Sequence, residues 1–242
     1  MLRKLCCVLA ATALFASLAI AGLTEVSAPC SIADIQAGDG TYTVGELTFS
    51  EVDAVTSASP SAVHPDIEGI YLVGVRNDAT GRLGLKIVGD SGQDWAWWAR
   101  WRSADGLSGE VIQTKLTYKV SAGAGRTIAG NSLGFVQADA ETGASVLVSG
   151  HVYPSSDRLA GEDQSYTHVA WSTGRHSDSE LLAESTPEAW VTDEIEVSSD
   201  PHDAYGMLNS FYHIYQVIPE PVVLSIMTVG GLGLLASGRR RK

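Results

Sequence analysis

Lys115-Leu116-Thr117-Tyr118-Lys119-Val120 alternates polar and apolar residues without a slip. A strand turns successive side chains to opposite faces, so Leu116, Tyr118 and Val120 share a buried face while Lys115, Thr117 and Lys119 meet water. Antiparallel sheets with one packed and one solvated face are written this way. Similar runs recur on both sides at residues 41–44, 46–52, 70–75, 83–88, 126–129, 145–149, 166–171, 190–197 and 211–217. In residues 46–52, Leu47, Phe49 and Val52 face inward. Gly, Asn, Asp and Ser clusters separate many of these runs. Residues 177–188 are the one stretch whose pattern suits a short helix. No internal repeat of fixed period is visible, which disfavours a solenoid or a propeller. The expected fold is all-β: an antiparallel β-sandwich with jelly-roll-like connections.

The two ends of the chain read differently. Residues 1–21 have the layout of a secretory signal peptide: Arg3 and Lys4, then an uncharged Ala- and Leu-rich stretch, then Ala19-Ile20-Ala21 as a cleavage site. At the other end stand Pro219-Glu220-Pro221, 16 uncharged residues at 222–237, and Arg239-Arg240-Arg241-Lys242 after Gly238. As a helix that run spans roughly 24 Å, a short transmembrane crossing of a core about 30 Å thick. The four cations place its end in the cytoplasm, so the body of the chain lies outside. The prolines stop the helix from extending backwards and leave an extended segment at the membrane surface.

That tail, residues 218–242, resembles the PEP-CTERM sorting signal of bacterial envelope proteins, in which a Pro-Glu-Pro motif, a short membrane segment and an Arg-rich end follow one another. The same tail also carries a historical label that mentions ice-binding proteins, which is no evidence of ice binding. The resemblance implies recognition at Pro219, Glu220 and Pro221 by an exosortase, a membrane-embedded transpeptidase, with Arg239, Arg240, Arg241 and Lys242 as the basic stop. It implies transfer to the cell surface, often beside exopolysaccharide production. More faintly, residues 42–49, 84–87 and 116–120 are similar to strands of PEP-CTERM ectodomains, most of which lack an assigned activity.

Between the ends, residues 22–217 form one extracellular domain. All 28 acidic residues and 10 of the 16 basic ones lie between residues 22 and 221, a formal charge of −18. Such a surface argues against nucleic acid and anionic lipid as partners. Only Cys30 survives signal cleavage, so the exported body has no internal disulfide.

The densest local feature is Asp94-Trp95-Ala96-Trp97-Trp98-Ala99-Arg100-Trp101-Arg102, which gathers four of the chain's six tryptophans. Alternation puts Trp95, Trp97, Ala99 and Trp101 on one face, packed against the opposite sheet, with Trp98 alone outward. The competing reading is a carbohydrate platform made of Trp95, Trp97, Trp98 and Trp101, because exposed indoles stack on sugar rings. The six histidines lack zinc-site spacing, and Asp193, Glu194 and Glu196 read as a solvated face. Asp39, Asp66, Asp90 and Asp105 in loops leave weak Ca²⁺ binding open. No nucleophile elbow, HExxH, P-loop or EF-hand sequence occurs, so neither a catalytic residue, a cofactor nor a metal ligand is assigned. The expectation is an exported structural or adhesive protein of the surface or matrix, handled by the secretion machinery and an exosortase-like enzyme and associated with exopolysaccharide. The alternative is a lectin-like module using residues 95–101.

Overall fold

Thr114, Leu116, Tyr118 and Val120 are all 2% exposed or less, and the residues between them face outward. This strand sits in the middle of a six-stranded sheet. The computed structural model describes residues 22–59, 64–89, 101–102, 111–140, 144–153, 165–170, 174–198 and 206–220. In chain order the strands are β1 (Leu23–Glu25), β2 (Cys30–Ser31), β3 (Thr41–Val44), β4 (Leu47–Ala58), β5 (Ile70–Asn77), β6 (Leu83–Gly89), β7 (Trp101–Arg102), β8 (Val111–Ala122), β9 (Arg126–Ala140), β10 (Ser145–Tyr153), β11 (Ser165–Ala170), β12 (Ser177–Thr186), β13 (Glu188–Ser198) and β14 (Gly206–Pro219). Among the described residues one helix, α1 (Ile32–Ala37), follows β2.

The strands form two antiparallel sheets. One runs β11-β10-β13-β8-β4-β3. The other runs β1-β5-β6-β14-β9-β12, with β2 on β5 and β7 on β14. Their inner faces meet in one apolar core that includes Phe49, Leu72, Leu85, Ile87, Leu116, Val148, Val191 and Phe211. Tryptophan at 101 pairs through its backbone with Leu208 on β14.

Residues 177–186 form β12, not the helix their pattern suggests. Their helix-favouring composition yields to pairing with β9, which would otherwise leave its ladder groups unbonded at the sheet edge. Leu182 turns inward while Leu181 stays 66% exposed. The helix lies instead at Ile32–Ala37. Ser31 caps it by accepting from the Asp34 N–H at 3.0 Å, and Ile32 and Ile35 anchor it to the core. The signal peptide at 1–21 and the apolar span at 222–237 lie outside the described residues. Among the described residues no helix is long and apolar enough to cross a membrane.

Polar groups also join the two sheets. Asp193 on β13 has no exposure, although its sequence neighbourhood reads as solvated, because register places it inward between Gly150 and Leu116. Its Oδ1 lies 2.8 Å from Nε2 of His213 on β14, also fully buried. The other ring nitrogen lies 2.9 Å from Oδ1 of Asn131 on β9. Each ring nitrogen thus faces a side-chain oxygen, the Asp193 carboxyl on one side and the Asn131 amide on the other. The Tyr215 ring stacks on the imidazole at 6.1 Å, and its hydroxyl meets that of Tyr118 at 2.8 Å across the sandwich. Gly150 is required here. A Cβ would lie 2.9 Å from both His213 Cε1 and Thr167 Oγ1.

Removing one partner of a buried hydrogen bond leaves the other's polar atom without a partner. Asp193→Ala should lower unfolding free energy by about 1–3 kcal/mol, whereas Val55→Ala at an exposed outer position should stay within about 0.5 kcal/mol. Urea midpoints at neutral pH check both. Burial pushes the Tyr118 and Tyr215 hydroxyls well above their ordinary range, and the Asp193 charge pushes further. Raised values stabilise fully below the unfolded value near ~10 and lose that contribution as pH rises above it. Stability should therefore fall above about pH 10, and a Tyr118→Phe/Tyr215→Phe variant should flatten this limb in urea titrations.

Candidate functional site

The outer face of the six-stranded sheet carries the side chains that the core rejects. Register arranges them in rows across the strands. One row reads His168, Ser149, Glu194, Lys115 and Val55 from β11 to β4. The next reads Tyr166, His151, Thr192, Thr117 and Asp53. On the far side of the first row lie Leu147, Glu196, Gln113 and Ser57. A shallow groove of about 370 Å³ follows these rows, lined by Val55, Gln113, Lys115, Leu147, Glu194 and Glu196 among others.

Aromatic rings stand beside the groove. Tyr166 is 46% exposed, and its ring centroid lies 4.8 Å from that of His151. His151 stacks on Tyr153 at 6.3 Å with an interplanar angle of 13°. Tyr153 pairs directly with Trp190, whose ring lies 5.1 Å beneath the Lys119 ammonium. Trp190 Nε1 donates to Glu51 Oε2 at 3.3 Å. Glu51 has φ 53° and sits in the β-bulge that shifts register between Ser50 and Asp53. The result is a strip of Tyr166, His151, Tyr153 and Trp190 across three strands.

Hydrogen bonds hold the strip's exposed end. The Ser149 hydroxyl lies 3.2 Å from His168 Nδ1 and accepts from the Tyr166 hydroxyl at 3.4 Å. Strand β11 is an edge, so its outward N–H groups need partners. Glu180 accepts from the Tyr166 N–H at 2.9 Å and Asp178 from the His168 N–H at 3.0 Å. These carboxylates come from β12 of the other sheet and close one open side of the sandwich. Arg175 in turn binds Asp178 at 2.7 Å.

Most of the sequence-derived candidates lie outside the described residues. Trp95, Trp97 and Trp98 lie outside the described residues, as do Pro221, Arg239, Arg240, Arg241 and Lys242. Only the backbone of residue 101 is described. Pro219 ends β14 and is exposed; the Glu220 N–H then donates to the Gly125 carbonyl at 3.0 Å. The first two motif residues thus begin where the folded sheet stops. Tyr166, His151 and Tyr153 were not singled out by sequence, because they lie far apart in the chain and meet only through strand pairing. Among the described residues no cluster of His, Cys, Asp and Glu is arranged to hold a metal ion.

No family model matches the chain, and no curated protein matches it significantly. Among solved structures, it is similar to the carbohydrate-binding module TmCBM61 in complex with beta-1,4-galactotriose. The two are 13% identical, the TM-score is 0.27, and the match covers 67% of this chain and 88% of that one. It is also similar to the enzymatically active domain of tailspike protein 4 of bacteriophage CBA120. There the identity is 10%, the TM-score is 0.26, and the match covers 68% of this chain and 19% of that one. Likeness this slight carries no argument, and the site is read from its own residues.

Burial raises Asp178, but the Arg175 guanidinium and the His168 N–H together outweigh it and hold the carboxyl below its usual value. A lowered value stabilises fully above the unfolded value near ~4, and that contribution is lost as pH falls through the depressed folded value. Asp178→Asn should therefore weaken the protein at neutral pH and shrink its loss of stability on acidification, as followed by thermal melts between neutral and acid pH.

Proposed function

We propose that this chain is an exported surface or matrix protein whose sandwich binds extended carbohydrate across the outer face of its six-stranded sheet. The observation that carries the reading is the exposed Tyr166, backed by His151 and continued by Tyr153 and Trp190 beside an open polar groove. Sugar rings offer apolar C–H faces and equatorial hydroxyls. Aromatic rings take the faces, and planar amide and carboxylate groups such as Gln113, Glu194 and Glu196 take the hydroxyls. An open sheet face suits a long chain that passes across it better than a small molecule that must be enclosed. The acidic body, −18 overall, favours neutral glycans over anionic ones.

Export and anchoring rest on the ends of the chain. On this reading the signal at 1–21 delivers the protein outward and 222–237 holds it in the membrane. An exosortase-like enzyme then acts at Pro219-Glu220-Pro221, and the sandwich, jelly-roll-like in its connections, is left at the surface without catalytic activity. The exposed Pro219 at the end of β14 suits such handling, since the motif starts as the sheet ends.

Affinity electrophoresis through gels containing the exporting cell's neutral exopolysaccharide tests the binding claim. Wild-type protein should be retarded. Tyr166→Ala should weaken binding about tenfold or more, near 1.4 kcal/mol, while its melting temperature stays close to wild type. Equal migration with and without polysaccharide would sink the carbohydrate reading and leave a purely structural role.

A further inference from the structure

Thr167 on β11 and Asn131 on β9 meet in the middle of the sandwich, one from each sheet. Thr167 has no exposure and Asn131 is 3% exposed. Neither contact of the Thr167 hydroxyl is a good hydrogen bond. It receives the Asn131 Nδ2–H at 3.4 Å and points to the Gly150 carbonyl at 3.4 Å. Buried hydroxyls are normally better served than this, and one that is not calls for an explanation. Around the pair stand His213, whose Nδ1 lies 2.9 Å from the Asn131 carbonyl oxygen, and Asp193, bound to the opposite ring nitrogen at 2.8 Å. The second carboxylate oxygen of Asp193 is buried without a hydrogen-bond partner.

We propose that this cluster closes an internal ester bond between the Thr167 side chain and the Asn131 side chain. The parts match acyl transfer: a hydroxyl nucleophile, a carboxamide with its carbonyl oxygen on a ring nitrogen of His213, and a carboxyl group that orients that ring. A lone pair of Thr167 Oγ1 attacks Asn131 Cγ, and the carbonyl electrons move onto Oδ1, where the His213 Nδ1–H holds the developing charge. When the carbonyl reforms, the C–N bond breaks. The nitrogen takes up the proton that the threonine hydroxyl gives up, and leaves as ammonia. An amide and an alcohol become an ester and ammonia. Nothing is oxidised or reduced, and no further reactant is needed.

The surroundings favour this outcome. Exclusion of water protects the ester from hydrolysis, and escape of ammonia draws the exchange forward. Gly150 leaves the hydroxyl and the imidazole the space they share. The bond would tie β11, an edge strand, to the opposite sheet and close a loop between residues 131 and 167. Such a link restrains the unfolded chain as a disulfide would. An exported body whose one cysteine is Cys30 cannot obtain that restraint from sulfur.

The test is peptide mapping of the folded full-length protein, denatured and digested with trypsin. Cleavage at Arg126, Arg158 and Arg175 separates residues 127–158, which hold Asn131, from 159–175, which hold Thr167. The expected product is the two peptides joined, lighter than their sum by one ammonia and split by alkaline hydroxylamine. The isosteric Thr167→Val variant should give two separate peptides. Separate peptides of full mass from the wild type would overturn the proposal. So would ammonia loss confined to the 127–158 peptide, which is succinimide formation, or a linked product that survives in Thr167→Val. The wild-type digest decides the question even if the variant folds poorly.

Discussion

The hydrogen bond between His213 and Asp193, neither of which has any access to water, sets the terms for the rest of the sandwich. Taking such polar groups out of solvent is costly unless they are hydrogen-bonded, and the short contact and the further bond to Asn131 offset that cost. That requirement fixes which residues oppose one another. Asp193 must face inward on β13, so Glu194 and Glu196 on either side of Ile195 must be placed by the same register. Gly150 opposes Asp193 because the imidazole and Thr167 occupy the room a side chain would need. Gly84, opposite Ile214, allows β6 to approach β14 where a Cβ would fall 1.8 Å from the His213 carbonyl oxygen. A slip of one residue in β13 would turn the buried aspartate into water and the outer glutamates into the core.

The same register builds the outer face. Strand period is two, so every residue that locks the core places its neighbour on the opposite surface. Val148 packs inward while Leu147 and Ser149 line the groove, and Thr167 packs inward while Tyr166 and His168 present their rings. Core and candidate binding surface are thus two readings of one set of strand pairings. The carboxylates of Asp178 and Glu180 complete the arrangement by bonding the outward N–H groups of β11, which keeps Tyr166 in line with His151 and blunts an edge open to pairing with other chains.

Much of the layering was legible in the residues. Leu116, Tyr118 and Val120, like Leu47 and Phe49, announced their face by alternation, and all five are buried; Val52 is buried too, but through the bulge at Glu51 that breaks the alternation. Three things were not legible. Asp193 stands among Glu194 and Glu196 and looks solvated; only the partner on a strand 20 residues later shows otherwise. Residues 177–186 have helical composition, and the need to pair β9 overrides it. The strip of Tyr166, His151, Tyr153 and Trp190 is scattered over the sequence, while the conspicuous tryptophans at 95–98 lie outside the described residues. Local signals reveal which face a residue takes, but not which distant residues will share that face.

The most direct test of the account is to map where a glycan touches the folded domain. Backbone amide shifts of isotope-labelled protein would be followed as oligosaccharides from the cell's exopolysaccharide are added. The account predicts that shifts concentrate at Ser149, His151, Tyr166, Thr192 and Glu194 on the six-stranded sheet, with β1, β5 and β6 unmoved. Shifts centred on the other sheet, or a spectrum unchanged at saturating sugar, would contradict it.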